Sequence, residues 1–98
     1  MQFMQSVHDV SVIESSSAVS PTRWRVTVRY DGDLPLTDLS FKLVVKRDGA
    51  DPLSMTQQLS GVLRPNSRFN VDFESPELDA YRTSARNVVF FYDNARAL

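Results

Sequence analysis

The stretch Thr22 to Lys46, TRWRVTVRYDGDLPLTDLSFKLVVK, decides the fold class. Trp24, Val26, Val28 and Tyr30 alternate with Arg23, Arg25, Thr27 and Arg29. Side chains of an extended strand point to opposite faces in turn. A period of two rich in β-branched and aromatic residues therefore predicts a half-buried strand with Trp24, Val26, Val28 and Tyr30 inward. Leu39, Phe41, Leu43 and Val45 repeat the pattern against Ser40, Lys42, Val44 and Lys46. Between the runs lies Asp31-Gly32-Asp33-Leu34-Pro35, read as a turn in which glycine supplies a positive φ and proline interrupts the ladder. Two alternating runs joined by such a turn predict an antiparallel hairpin.

The same reading extends in both directions. Downstream, Asp48 to Pro52 is a second turn. Leu53 to Leu59 alternates weakly, as an edge strand does, and Arg68 to Glu74 places Phe69, Val71 and Phe73 inward. Ser75-Pro76-Glu77-Leu78-Asp79 predicts one helical turn, with serine as cap, proline at the first position and acids at the positive end of the dipole. Asn87 to Tyr92, NVVFFY, is apolar on both faces. Upstream, a strand is expected over Val7 to Ile13, with Val10 and Val12 on one face. Ser15-Ser16-Ser17 and Ser20-Pro21 are expected to form a flexible link. No segment sustains a helical period. Residues 1–98 are therefore expected to form one all-β domain, an immunoglobulin-like antiparallel β-sandwich of six to seven strands. Trp24, Val26, Phe41, Leu43, Phe69, Val71 and Phe90 are its expected core.

Composition narrows the function classes. Eleven Lys and Arg stand against twelve Asp and Glu, a balance that argues against a nucleic-acid partner. There is no cysteine, which excludes disulfides and thiolate metal sites. No apolar run approaches the roughly 18 residues that span a bilayer, and MQFMQSVHDV lacks the basic start and apolar stretch of a signal peptide.

Val26 to Val45 and Leu63 to Phe73 together resemble the adhesion-type and alpha-galactosidase-associated immunoglobulin-like domains of bacteria and archaea. The resemblance rests on Tyr30-Asp31-Gly32-Asp33 and on Leu63-Arg64-Pro65-Asn66. Asn66 stands where the family has glycine and tolerates a left-handed backbone. The soluble domains of archaeal motility-filament stator proteins are similar in architecture. The C-terminus departs from the family pattern, with a proline-led turn before one very apolar strand. The resemblance implies a structural or adhesive role in an extracytoplasmic setting, including the soluble part of a membrane-anchored protein.

Candidate chemistry is sparse. His8, the single histidine, would need a nucleophile or acid placed against it for catalysis; in a weak strand near the start of the sequence it reads as a surface residue. Asp31, Asp33, Asp48 and Asp51 read as turn residues, because Asp-Gly-Asp alone lacks the further oxygen ligands of a calcium loop. No catalytic residue, metal or cofactor is expected, and the chain is not expected to be an enzyme. Arg23, Arg25 and Arg29 share one strand face. They either bind an anionic glycan or polyanion, or, as the favoured reading, pair across strands with Asp72 and Glu74. If Val88, Phe90 and Tyr92 face the core, Val89 and Phe91 face outward and need a cover, supplied by the serine-rich segment, the tail or another subunit. The expected function is a non-catalytic assembly module contacting a protein partner, or a second copy in a homodimer, through Val89 and Phe91. The alternative is a carbohydrate- or polyanion-binding module built on the arginine row.

Overall fold

A computed structural model describes residues 10–46, 49, 51–79 and 87–98. Six strands are present: β1 (Ser11–Ser20), β2 (Arg23–Tyr30), β3 (Leu36–Lys46), β4 (Leu53–Leu59), β5 (Ser67–Glu74) and β6 (Asn87–Ala97). They form two antiparallel three-stranded sheets, ordered β1-β2-β5 and β4-β3-β6. The fold is thus all-β in two layers. His8 and Asp48 lie outside the described residues, as does the start of the strand expected over Val7 to Ile13.

The inward residues of β2, β3 and β5 meet between the layers. Val26, Val28, Phe41, Leu43 and Val45 are fully buried, and Tyr30, Leu39, Val71 and Phe73 nearly so. Phe41 is the hub, with ring centroids 5.6 Å from Phe69 on the opposite sheet, 5.6 Å from Phe90 and 5.0 Å from Tyr92. Trp24, Phe69 and Phe90 are half-buried rather than sealed, because they stand at the margins of three-stranded layers. The indole N–H of Trp24 donates to Ser16 Oγ at 2.8 Å, so its polar edge is satisfied at that margin.

The expected β2–β3 hairpin does not form, since the two strands lie in different sheets. Tyr30 is the cause. Its hydroxyl donates to the Leu34 carbonyl at 2.6 Å, and its ring lies over Gly32. Gly32 is accordingly needed for close approach and not for a positive φ, which belongs to Gly49 and Gly61. The chain then enters the second layer at Leu36, which exchanges both backbone hydrogen bonds with Leu63, at 2.9 and 2.8 Å. A further irregularity sits at Asp38, with φ of 53°, where the β3–β6 register shifts. The bulge resets the alternation so that both Leu36 and Leu39 point inward.

The serine run is not a link. It is the body of β1, paired with β2 from Ser11↔Tyr30 to Ser20↔Arg23 and joined to it through Pro21-Thr22. Val12 falls opposite Arg29 and Ile13 opposite Val28, so Val12 does not share an inward face with Val10. β3 and β4 do form a hairpin, with Leu53 and Met55 buried, and β4 is an edge. Asn66 adopts the left-handed conformation expected of it, with φ of 61°. Ser75 Oγ accepts from the Glu77 N–H at 3.2 Å, starting the turn that plugs Leu78 fully into the core. β6 runs past Tyr92 to Ala97.

Two outcomes check this packing. Phe41→Ala is expected to lower unfolding free energy by about 3–5 kcal/mol in urea titration. Gly32→Ala drives a Cβ into the Tyr30 ring and hydroxyl, and is expected to cost on the order of 1–3 kcal/mol although the position lies in a loop. A neutral result at Gly32 would remove the corner from the account.

Candidate interaction surfaces

The outer face of the first sheet is a ladder of charge. β2 and β5 pair with Arg23 opposite Glu74, Arg25 opposite Asp72, Thr27 opposite Asn70 and Arg29 opposite Arg68. Arg23 bonds Glu74 at 3.0 Å, and Arg25 grips both oxygens of Asp72 at 2.8 and 3.0 Å. Thr27 Oγ1 donates to Asn70 Oδ1 at 2.8 Å. Arg29 and Arg68 would repel, and the strand bulge in β1 answers this. The register skips Glu14, whose carboxylate reaches Arg68 across β2 and lies 3.7 Å from Arg29. Arg29 also bonds Asp31 at 3.0 Å.

Arg23 and Arg25 thus take Glu74 and Asp72, the carboxylates named in the favoured reading of the row, whereas Arg29 takes Glu14 and Asp31 instead. Glu14 was not singled out in the sequence, because a lone acid in a serine run carries no alternation to place it. The Arg68 hydrogen bond and charge hold its carboxyl below the usual range, and Arg25 does the same to Asp72. These pairs are exposed, so solvent screens them and each contributes little by itself.

The second surface is the free side of β6. Val45 faces Val88, Leu43 faces Phe90 and Phe41 faces Tyr92, all toward the core. Val44 faces Val89 and Lys42 faces Phe91 on the outside. The outward direction of Val89 and Phe91 is thus as read from the sequence: Val89 is 37% exposed and Phe91 half-buried. Among the described residues β6 is an edge strand and not a central one. Ile13 of β1, half exposed, stands beside Phe90 and Phe91 in a small cleft of about 100 Å³ that Ser11, Val28 and Tyr92 complete. The Tyr92 hydroxyl lies 3.0 Å from Ser11 Oγ across the layers, and burial pushes its pKa up to about 12.

A third feature is an open polar depression of about 780 Å³ beside the Asp38 bulge, lined among others by Ser40, Gln57, Gln58 and Asn94. The Asn94 amide donates to the Asp38 carbonyl at 2.7 Å, and Arg96 pairs with the Asp38 carboxylate at 2.7 Å, so the bulge is tied down at its edge. Among the described residues no three His, Cys, Asp or Glu side chains gather as a metal site, and no helix is long and apolar enough to cross a membrane.

No protein-family model matches the chain, and no curated protein matches it. The fold is similar to that of the Salmonella enterica trimeric lipoprotein SadB, with a TM-score of 0.54 at 12% identity. The likeness covers 90% of this chain and 53% of that one, so this chain spans about half its length.

The ladder generates a pH expectation. Asp72 is held below its ordinary pKa in the fold, so its contribution is full above the unfolded value near 3.8 and is lost as pH falls through the lower folded value. Asp72→Asn is expected to lower stability at neutral pH by about 0.2–1 kcal/mol, with the difference from wild type closing in acid below that range, as thermal melts across pH would show.

Proposed function

We propose that the chain is a non-catalytic, immunoglobulin-like assembly module that works through protein–protein contact outside the cytoplasm, and that it self-associates. The observation that carries this reading is the pair Val89 and Phe91, apolar and outward on an edge strand. A strand so placed offers both unpaired backbone groups and apolar surface, which stable monomers usually blunt. What supports the immunoglobulin-like assignment is connectivity. Strands one, two and five share one sheet, and strands three and six share the other, as A-B-E and C-F do in that fold, with β4 in the place of C′. In such domains a strand G lies beside F, a place that corresponds to the outer edge of β6 among the described residues.

The likeness to a trimeric lipoprotein supports both self-association and an extracytoplasmic setting. A polyanion-binding role is less well supported, because an anion would have to displace Asp72, Glu74, Glu14 or Asp31 from the arginines.

Light scattering tests the proposal. The wild type is expected to be oligomeric, and Val89→Asp combined with Phe91→Asp is expected to remain folded and become monomeric. A wild type that stays monomeric at the highest attainable concentration overturns the assembly reading. A charged variant that folds and still associates moves the interface elsewhere.

A further inference from the structure

We propose that two copies of the chain join β6 to β6, antiparallel about a two-fold axis at Phe90, so that each adds a further strand to the other's sheet. This rests on the self-association reading above and specifies its geometry. Among the described residues the two three-stranded sheets have four edges, and three carry polar or charged outer rows. β1 is bulged twice and carries Glu14 and its serines. β5 carries Arg68, Asp72 and Glu74, and β4, bounded by Pro52, presents Ser54, Thr56 and Gln58. From Asn87 to Tyr92, β6 has no charge, no proline and no register shift against β3.

Charge and face then select the register. A centre between two residues would set an outward side chain against an inward one, which the period of two forbids. Centred on Phe91, the pairing sets Asp93 of the second copy against Val89, burying a carboxylate among Val44 and Val89. Centred on Val89, it runs Lys46 and Lys42 of the second copy into one row with no acid between them. Centred on Phe90, Val89 meets Phe91 of the second copy, and Val44 and Val89 of both chains join the two phenylalanines in one outer apolar patch. Asn87 then faces Asp93 of the second copy. Lys46, the β3 neighbour of Asn87, lies two strand spacings or about 10 Å from that aspartate, within the joint reach of the two side chains. Lys46 and Asp93 are both exposed, and Asp93 is the residue that the β6 register skips. A two-fold axis makes this contact twice, so a lysine–aspartate pair closes each end of the patch. Phe90 and Ile13, incompletely covered in one chain, border the joint where the second copy's strand would lie.

The chain has no cysteine, so introduced thiols report the register directly. Facing residues of paired strands have Cα atoms about 4.5–5.5 Å apart, within disulfide range. A mixture of Val89→Cys and Phe91→Cys chains is expected to give a disulfide-linked heterodimer on oxidation, with little self-linking of either alone. Lys46→Glu and Asp93→Lys are each expected to weaken the dimer roughly five-fold by sedimentation, and the double swap to restore it. A wild type that dimerises without heterodimer cross-linking, and without rescue by the swap, overturns the β6 pairing while leaving self-association standing. A monomeric wild type overturns both.

Discussion

The structure depends on one tight corner, where Tyr30 lies over Gly32 and donates to the Leu34 carbonyl. By sequence, β2 and β3 are two alternating strands separated by five residues, a spacing that reads as a hairpin. The tyrosine occupies the space a hairpin turn would need and anchors the backbone on the far side of it. The chain is thereby turned out of the first layer and handed to the second at Leu36, whose exchange with Leu63 fixes the landing point. Every later decision follows from that handover. β5 must return to β2, β6 must find β3, and the inward faces of the two layers close on Phe41.

Dividing six strands into two layers of three has a cost in edges. Phe69 and Phe90 on edge strands, and Trp24 near the start of β2, are half-buried despite their size, whereas Phe73 and Tyr92 on the same edge strands are sealed. The molecule handles its two outer faces differently. On the first sheet it balances charge: arginines on β2 and β5 are met by carboxylates from β5, from the loop and from the bulged Glu14, leaving a neutral and well-satisfied surface. On the second sheet it leaves valine and phenylalanine outward along a regular edge. The association proposed above belongs with the second kind of surface, because its apolar side chains are not buried within the chain and an ordered strand edge fixes orientation.

Strand identity was legible wherever a strand has one wet and one dry face. The alternation in Arg23–Tyr30, Leu39–Lys46 and Ser67–Glu74 gives the inward side of each run, since burial on one side only is what writes a period of two into a sequence, while Leu36, turned inward by the Asp38 bulge, falls outside it. The outward direction of Val89 and Phe91 follows from the same rule, as does the pairing of Arg25 with Asp72 once β2 and β5 are neighbours. β1 was illegible because it is exposed almost throughout: a strand wet on both faces needs no alternation, and its serines read as a link. Only the tertiary structure could decide which strands share a layer. Local sequence records which face of a strand is buried, but not against what. The Tyr30 corner, the Asp38 bulge and the reach of Glu14 to Arg68 are contacts between residues whose partners only the folded chain brings within bonding distance.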